Sequence, residues 1–254
     1  MNAEEKPWEI HSAEFVLSAV RRRHYPQPSL PQVAFSGRSN CGKSSLLNCL
    51  VRRRNLAKTS GKPGHTRLVN FFLVENRCHF VDLPGYGYAK APAAEKEKWR
   101  RSTEEFLKDN PHLRLMVLLL DARRTPSELD DVLVEFLKHL RIPFLVVLTK
   151  SDKLGRAELE KSRKAIAAHY ALPKGELPIA TSAEKGTGRE ELLKRIHEAV
   201  FESREKREEE KEKEKKPTQR RREMMNDECG IKVLPQTIFL IIAGPSSGPQ
   251  GFLS

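Results

Sequence analysis

The amino-acid sequence predicts an α/β fold in which helices flank a six-stranded, mostly parallel sheet. Short apolar runs alternate with amphipathic segments between residues 31 and 201, as expected when strands and helices follow one another along the chain. Two of the runs, "LMVLLL" and "FLVVL", are continuously apolar, which is typical of parallel strands covered on both faces. In such folds, ligands bind in loops at the carboxyl ends of the strands.

The individual elements follow from hydrophobic spacing, read in chain order. The predicted strands span residues 32–35, 67–75, 77–82, 113–121, 142–149 and 176–181. The predicted helices lie near residues 43–53, 94–109, 127–140, 156–170 and 189–204. The second strand alternates apolar and polar side chains more than the others, so we expect it to lie antiparallel at the edge of the sheet.

Two terminal segments flank the predicted domain at residues 31–201. Residues 1–30 form an N-terminal arm, in which the run "AEFVLSAVRRRHYPQPSLP" predicts a small amphipathic helix ending at a cluster of prolines. Residues 202–254 form a charged tail that begins "ESREKREEEKEKEKKPTQRRR", with seven acidic and ten basic side chains. This stretch predicts either a helix extension with i,i+4 ion pairs or a disordered segment. The later run "TIFLIIA" is either loosely attached or docks on the domain or on a partner.

The charge balance is strongly basic, with a net charge of +12. Residues 1–201 hold 35 of the 46 basic and 24 of the 34 acidic side chains, so the excess belongs to the predicted domain rather than to the tail. A basic surface favours a polyanionic partner, of which nucleic acid is the commonest. The alternative is a basic surface that serves only solubility.

The remaining composition predicts a cytoplasmic protein. The first residues, "MNAEEKPWEIHS", lack the apolar core of a secretory signal, and Glu4 and Glu5 argue against an organellar transit peptide. The apolar runs are too short to cross a bilayer, so we expect no membrane partner. The four cysteines show neither CxxC nor zinc-type spacing, which is typical of reduced thiols.

A phosphate-binding loop is the most specific motif. "GRSNCGKSSLLN" fits the pattern GxxxxGK[ST], with Gly37, Gly42, Lys43 and Ser44 at the fixed positions between an apolar strand and a helix. Glycines let backbone N–H groups approach a polyphosphate, and the helix N-terminus adds the positive end of its dipole. We expect Lys43 to reach the terminal phosphates and the Ser44 hydroxyl to bind Mg²⁺.

The loop "DLPG" follows the third predicted strand. Asp82 is expected to hold Mg²⁺ through water, and the Gly85 N–H is expected to face the γ-phosphate. A lone DxxG is a weak signal, but one at a strand end after a phosphate-binding loop is a strong one.

Two further loops predict that the base is guanine. In "TKSD", after the fifth strand, the Asp152 carboxylate can accept hydrogen bonds from guanine N1–H and the 2-amino group. Adenine lacks that donor pair and would leave the buried charge unpaired. The Lys150 side chain is expected to pack over the base. In "TSA", after the last strand, the Ala183 N–H is expected to bond guanine O6.

The loop "GKPGHTR", residues 61–67, has the composition of a switch segment. Thr66 is expected to complete the Mg²⁺ shell through its hydroxyl and to contact the γ-phosphate through its N–H. Gly61, Pro63 and Gly64 suit a loop that orders with GTP and relaxes after hydrolysis. An ordinary turn is the alternative.

Taken together, these motifs resemble the EngB (YihA/YsxC) family of bacterial GTPases over about residues 8–200. "PGHTRLVNFF" and "DLPGYGYAK" are more specific than the general GTPase loops. The resemblance implies a P-loop GTPase domain that binds GTP and Mg²⁺, a role in assembling the large ribosomal subunit, and an association with cell division and septation. Cys41 stands where the family usually has valine, and the tail from about residue 205 is outside the resemblance.

The candidate site residues fall into three sets. The candidate nucleotide-binding residues are Gly37, Arg38, Ser39, Asn40, Cys41, Gly42, Lys43, Ser44, Gly64, His65, Thr66, Arg67, Leu68, Asp82, Leu83, Pro84, Gly85, Thr149, Lys150, Ser151, Asp152, Thr181, Ser182 and Ala183. The catalytic candidates are Lys43, Thr66, Gly85 and Asn40. The candidate metal ligands are Ser44 and Thr66.

Hydrolysis requires a device other than glutamine. Many GTPases place a glutamine after DxxG to orient the attacking water, whereas Tyr86 stands here. This resembles GTPases with a hydrophobic residue at that position, several of which bind K⁺ through an Asn of the phosphate-binding loop. Asn40 occupies that place, so K⁺ is a possible cofactor. The alternative is that Asn40 satisfies local backbone groups. We expect slow intrinsic turnover that a partner accelerates.

Two functions remain open from the sequence. The first is a GTPase that docks on rRNA or on a precursor of the large ribosomal subunit, and the basic charge favours it. The second is a division-site regulator whose GTP state gates a protein partner without direct ribosome binding. A P-loop kinase is disfavoured by the two base-binding loops. We expect a monomer that does not bind DNA.

Overall fold

The computed structural model describes residues 8–57, 68–87 and 101–201, which form a sheet covered by helices on both faces. The strands are β1 (Ala13–Ala19), β2 (Gln32–Gly37), β3 (Val69–Val74), β4 (Cys78–Asp82), β5 (Leu113–Asp121), β6 (Phe144–Thr149) and β7 (Ile179–Ala180). The helices are α1 (Lys43–Leu50), α2 (described over residues 101–107), α3 (Glu128–His139), α4 (Arg156–His169) and α5 (Arg189–Phe201). The predicted α/β fold, with a mostly parallel sheet flanked by helices, is confirmed.

The sheet has seven strands rather than the predicted six, in the order β1-β3-β4-β2-β5-β6-β7. Neighbouring strands pair in parallel along the part of the sheet that contains β4, β2, β5, β6 and β7. Strands β1 and β4 each pair antiparallel with β3. The long apolar strand β5 lies in the interior of the sheet between β2 and β6, and it is buried along most of its length. The continuously apolar runs therefore mark the doubly covered strands, as predicted.

The additional strand corrects the prediction for the N-terminal arm. Residues 13–19 were expected to be helical, but they form β1, which pairs with β3 from Ala13 opposite Val74 to Ala19 opposite Val69. A bulge between Phe15 and Leu17 shifts the register. The bulge moves the inward-facing side chains from one face of the sheet to the other, so the apolar spacing departs from period two and imitates a helix.

The second predicted strand is antiparallel, as expected, but it does not lie at the edge. Strand β1 covers the outer side of β3 through Phe15 opposite Phe72 and Leu17 opposite Phe71. The alternation of apolar and polar side chains in this strand therefore does not arise from an edge position. Asn70, for example, accepts a hydrogen bond of 2.6 Å from Ser18 of β1.

Each face of the sheet has its own apolar core. On one face, the α2/α3/α4 core contains Phe106, Phe136 and Ile166 from the three helices. On the other face, the α1/α5 core contains Leu46 of α1 and Ile196 of α5. Because β4, β2, β5, β6 and β7 run parallel between these two cores, the loops that follow them lie at one edge of the domain.

Parts of the predicted organisation are not described. The first seven residues, residues 58–67, residues 88–100 and the tail at residues 202–254 lie outside the described residues, so the first part of the helix predicted near residues 94–109 is not described. Within the described ranges, no helix is both long enough and apolar enough to cross a membrane.

Candidate functional site

The phosphate-binding loop joins β2 to α1 through a backbone that needs glycine at two positions. Gly42, directly before α1, has a φ of 103°, in the left-handed region that glycine adopts without strain. A Cβ at Gly37 would lie 2.6 Å from the Leu119 carbonyl oxygen of β5. The same loop holds Asn40 at a φ of 65°. These contacts fix the loop between β5 and the N-terminus of α1, whose backbone N–H groups suit an anion.

Lys43 and Asp82 form a buried ion pair between this loop and the end of β4. The Lys43 Nζ contacts Asp82 Oδ1, and the two side chains are only 8% and 3% exposed. Both residues were predicted to serve phosphate and Mg²⁺, and the structure brings them together. An ammonium group held among carboxylate and loop amides is suited to a terminal phosphate.

The "DLPG" loop lies directly on the phosphate-binding loop. The Leu83 N–H donates to the Phe35 carbonyl at 3.0 Å, and the Ser39 N–H donates to the Tyr86 carbonyl at 2.8 Å. A Cβ at Gly85 would lie 3.3 Å from the Ser39 nitrogen. This approach is closer than most Cβ contacts and therefore favours glycine, and it places Gly85 beside the phosphate-binding backbone.

The residues present fit a magnesium ion. Ser44 lies in the first turn of α1, and Asp82 contributes a carboxylate from the neighbouring strand end. Both are hard oxygen ligands, which Mg²⁺ prefers, and Mg²⁺ usually uses few carboxylates together with phosphate and water. The described residues contain no group of three or more His, Cys, Asp or Glu side chains arranged for a metal.

The "TKSD" loop is tied to the phosphate-binding loop. The Thr149 hydroxyl donates to the carbonyl of Cys41, and it also lies 3.1 Å from the Leu120 carbonyl. The Lys150 Nζ donates to the Asn40 carbonyl at 2.7 Å. Lys150 itself has a φ of 57°. The base-binding and phosphate-binding loops therefore share hydrogen bonds and form one site.

Asp152 is held as a charged acceptor. Its Oδ1 accepts a hydrogen bond of 2.6 Å from the Ser182 hydroxyl, and its Oδ2 lies 3.0 Å from the Lys153 Nζ. The hydrogen bond from Ser182 is the larger influence and the contact with Lys153 the next, and together they lower the pKa of Asp152 below its usual range. The side chain is 4% exposed. An ionised carboxylate in a sheltered position is the acceptor that guanine N1–H and the 2-amino group require.

The last loop is joined to the "TKSD" loop by its backbone. The Ser151 N–H donates to the Thr181 carbonyl at 3.1 Å, and the Ser182 N–H donates to the Thr187 carbonyl at 3.0 Å. Ala183 follows directly and is half-buried. The sequence-predicted residues of both base-binding loops are thus brought together.

Asp121 belongs to the site but was not among the residues predicted from the sequence. It ends β5, accepts two hydrogen bonds from the Arg123 guanidinium at 2.8 and 2.7 Å, and accepts one from Lys150 at 3.0 Å. Burial opposes its ionisation, but the bonds from Arg123 and Lys150 outweigh it and lower its pKa. Asp121 therefore orients Lys150. Its position at a strand end, like that of Asp82, was the available signal.

The predicted switch residues Gly64, His65, Thr66 and Arg67 lie outside the described residues. Leu68 is described and is half-buried just before β3. The roles assigned to the switch segment therefore remain predictions.

Comparisons with known proteins agree on the domain. Residues 32–150 match the family model described as 50S ribosome-binding GTPase. The probable GTP-binding protein EngB of Syntrophus aciditrophicus is 48% identical over 195 residues, which are 77% of this chain and 98% of that protein.

Solved structures show the same likeness. The crystal structure of a probable GTP-binding protein engB matches with a TM-score of 0.57 and 27% identity, over 68% of this chain and 100% of that one. Era in complex with MgGDPNP and nucleotides 1506–1542 of 16S ribosomal RNA matches with a TM-score of 0.56 and 25% identity, over 69% and 58% of the respective chains.

Proposed function

This chain belongs to the EngB family of GTP-binding proteins, and from that premise we propose that it acts as a GTP-dependent switch in assembly of the large ribosomal subunit. Its P-loop domain is a GTPase domain, which converts GTP to GDP and phosphate. Two comparisons support a ribosomal partner: the family model is described as ribosome-binding, and the neighbour Era was crystallised with ribosomal RNA. Normal cell division and septation would then depend on the same protein through the supply of ribosomes.

One surface feature is the main support for an RNA partner. Three consecutive arginines, Arg52, Arg53 and Arg54, are exposed directly after α1. They occupy the turn that leads from the phosphate-binding helix toward the predicted switch segment at residues 61–67, and Lys58 and Lys62 add two further cations along the sequence. Clustered exposed guanidinium groups are suited to the phosphates of an RNA backbone.

The position of these arginines also links nucleotide state to RNA affinity. Helix α1 begins at the phosphate-binding residue Lys43 and ends next to Arg52, so it joins the nucleotide site to the basic turn. If the switch segment orders around the γ-phosphate, its cations and those of the turn would be brought into one geometry. RNA phosphates would then be contacted more completely in the GTP form than in the GDP form.

A particle-binding experiment tests this proposal. Binding to precursors of the large subunit is measured with a nonhydrolysable GTP analogue and with GDP, at several salt concentrations. We expect tighter binding with the analogue and a log–log salt slope of roughly 0.7–0.9 per phosphate contact. Replacing Arg52, Arg53 and Arg54 with Gln should reduce that slope by about two to three and weaken particle binding, while GTP affinity remains unchanged.

A matched control removes three positive charges from a surface far from the basic turn. Arg156, Lys161 and Lys164 are exposed on α4, on the opposite face of the sheet from α1, and their replacement with Gln should leave the slope close to that of the parent. Removal of residues 223–254 should also leave it unchanged. Binding that ignores salt, or that is equal with GTP and GDP, would reject the proposal and favour a protein partner at the division site.

We further propose that the reaction uses Mg²⁺ and K⁺. Ser44 and Thr66 would hold Mg²⁺, which neutralises charge on the phosphates when it is bound. Asn40 would help to hold K⁺: it is exposed, its carbonyl accepts from Lys150, and its side-chain amide makes no hydrogen bond within the described part of the chain. We also propose a cytoplasmic monomer, in keeping with the ribosomal role.

A further inference from the structure

The residue after "DLPG" is anchored in the protein interior. The Tyr86 side chain is 2% exposed and belongs to the α2/α3/α4 core. Its hydroxyl donates a hydrogen bond of 2.6 Å to Asp130 Oδ1 in the first turn of α3. Burial, followed by the nearby Asp130 charge, raises the pKa of Tyr86 well above its ordinary value, so the phenol remains a hydrogen-bond donor. Tyr86 therefore does not occupy the place of a water-orienting side chain.

Asp130 is more deeply buried than a helix cap requires. It is 1% exposed, and its Oδ2 accepts hydrogen bonds from the N–H and the hydroxyl of Ser127 at 2.7 and 2.6 Å. A capping carboxylate normally lies at the surface, where desolvation costs little. Here the second oxygen is used by Tyr86, so one carboxyl group joins the start of α3 to the "DLPG" loop.

The backbone of Tyr86 faces the nucleotide site. Its N–H lies 3.3 Å from the Gly37 carbonyl, and its carbonyl accepts from Ser39 at 2.8 Å. The preceding Gly85 lies against the Ser39 nitrogen. Because Gly85 and Tyr86 are adjacent, the bond from the Tyr86 hydroxyl to Asp130 limits where the Gly85 N–H can lie relative to the phosphate-binding loop.

The space beside the Tyr86–Asp130 hydrogen bond is large enough for the turn at Gly85 and Tyr86 to take another position. A cavity of about 210 Å³ lies between the phosphate-binding loop and α3, and its lining includes Arg38, Gly87, Thr125 and Asp130. Gly87 has a φ of 74°, which favours glycine directly after Tyr86. Without the tyrosine–aspartate bond, the turn would have both the backbone freedom and the room to move away from the phosphates.

We propose that Asp130 is a positioning residue for GTP hydrolysis, which holds Tyr86 and thereby fixes the Gly85 N–H at the place where it meets the γ-phosphate. This goes beyond the ribosomal role and depends only on the GTPase activity of the domain. In this proposal no side chain of residue 86 acts at the phosphate. Instead, the buried Tyr86–Asp130 hydrogen bond positions the backbone N–H of Gly85.

The test compares Tyr86→Phe with Tyr25→Phe in the full-length protein. The first change removes the hydroxyl that donates to Asp130. The second removes a half-buried phenol hydroxyl that packs against the same core and has Glu105 and Arg22, rather than Asp130, as its charged neighbours. We expect Tyr86→Phe to lower kcat about tenfold to a hundredfold, the scale on which partners of active-site groups act. Its KM for GTP and its GDP affinity should change little, and its affinity for GDP·AlF₄⁻ should fall with kcat. Tyr25→Phe should leave all of these unchanged.

A variant of Asp130 and a double-mutant cycle with Tyr86 complete the test. Asp130→Ala, which removes the acceptor, should reproduce the loss of kcat, and the Tyr86→Phe/Asp130→Ala double variant should be no worse than the more impaired single one, because both remove the same contact. Thermal unfolding confirms that the variants are folded. An unchanged kcat in Tyr86→Phe would overturn the proposal, as would equal losses for GDP and GDP·AlF₄⁻ or additive effects in the double variant. The outcome is independent of particle binding, so it does not depend on the ribosomal proposal.

Discussion

Base selection is the function for which the structure gives the most direct expectation. Replacing Asp152 with Asn should exchange a preference for guanine for a preference for xanthine. The Asp152 carboxylate would accept hydrogen bonds from two guanine donors, whereas the Asn amide would donate to the 2-carbonyl of xanthine. The Asp152 side chain is 4% exposed, so its carboxylate is largely sheltered from bulk water.

The magnitude follows from two hydrogen bonds to a charged acceptor, each about 1.5–3 kcal/mol. Their loss should weaken GTP binding by about 3–6 kcal/mol, which corresponds to roughly two to four powers of ten in Kd. Competition binding with GTP, XTP and ATP measures the exchange. If the Asp152→Asn variant still prefers GTP over XTP, the assignment of the guanine site is wrong.

Ser182→Ala is the matched control for this prediction. It removes the 2.6 Å hydrogen bond that orients Asp152 and helps to lower its pKa, but it keeps the carboxylate. GTP affinity should fall by roughly tenfold, the value of one such bond, and the order GTP over XTP over ATP should persist. A reversal of base preference in this variant would show that the hydroxyl, rather than the carboxylate, selects the base.

Three further predictions concern the metal ions and the backbone. Ser44→Ala should weaken binding of Mg²⁺ with either nucleotide, whereas Thr66→Ala should spare GDP and lose the GTP-specific conformation; equal losses for the two nucleotides in Thr66→Ala would contradict its switch role. Turnover should be faster in K⁺ than in Na⁺ at equal ionic strength, and Asn40→Ala should remove the difference; a parent enzyme indifferent to the two ions would return Asn40 to a structural role. A Cβ at Gly188, where φ is 71°, would lie 2.1 Å from a backbone carbonyl oxygen, so Gly188→Ala should lower the free energy of unfolding by about 3 kcal/mol. In denaturant titrations the control Gly186→Ala, with φ 72° and open space around it, should cost only about 1 kcal/mol.

The sequence predicted the fold class because its signals are strong and local. Continuous apolar runs identified the central strands, and glycine-rich or acidic loops at their ends identified the nucleotide site. The run at residues 13–19 was misread because its bulge between Phe15 and Leu17 disturbs the period of two. The last strand, expected at residues 176–181, is reduced to Ile179–Ala180, since strand length depends on pairing that a single segment does not encode.

The site was predicted loop by loop, and the bonds between loops were not. Spacing identifies Lys150 and Asp152, but only the folded chain shows that Asp121 orients Lys150. Likewise, the identity of Tyr86 excludes a glutamine mechanism, whereas its partner lies 44 residues away in α3. Contacts of this kind depend on tertiary packing and leave no periodic signal.

The sheet order has a consequence for how the protein folds. The loops of the site follow strands that are distant in the sequence, as Val33 of β2 pairs with Leu115 of β5. Such pairing incurs loop-closure entropy before it gains contacts, so it tends to form late and slowly. The nucleotide site exists only once these strands are in register, and a nucleotide that binds only the native state stabilises it by about 2.7 kcal/mol at 100 times its Kd. Guanine nucleotide would therefore favour the completed native state, because it would bind only after these strands are in register.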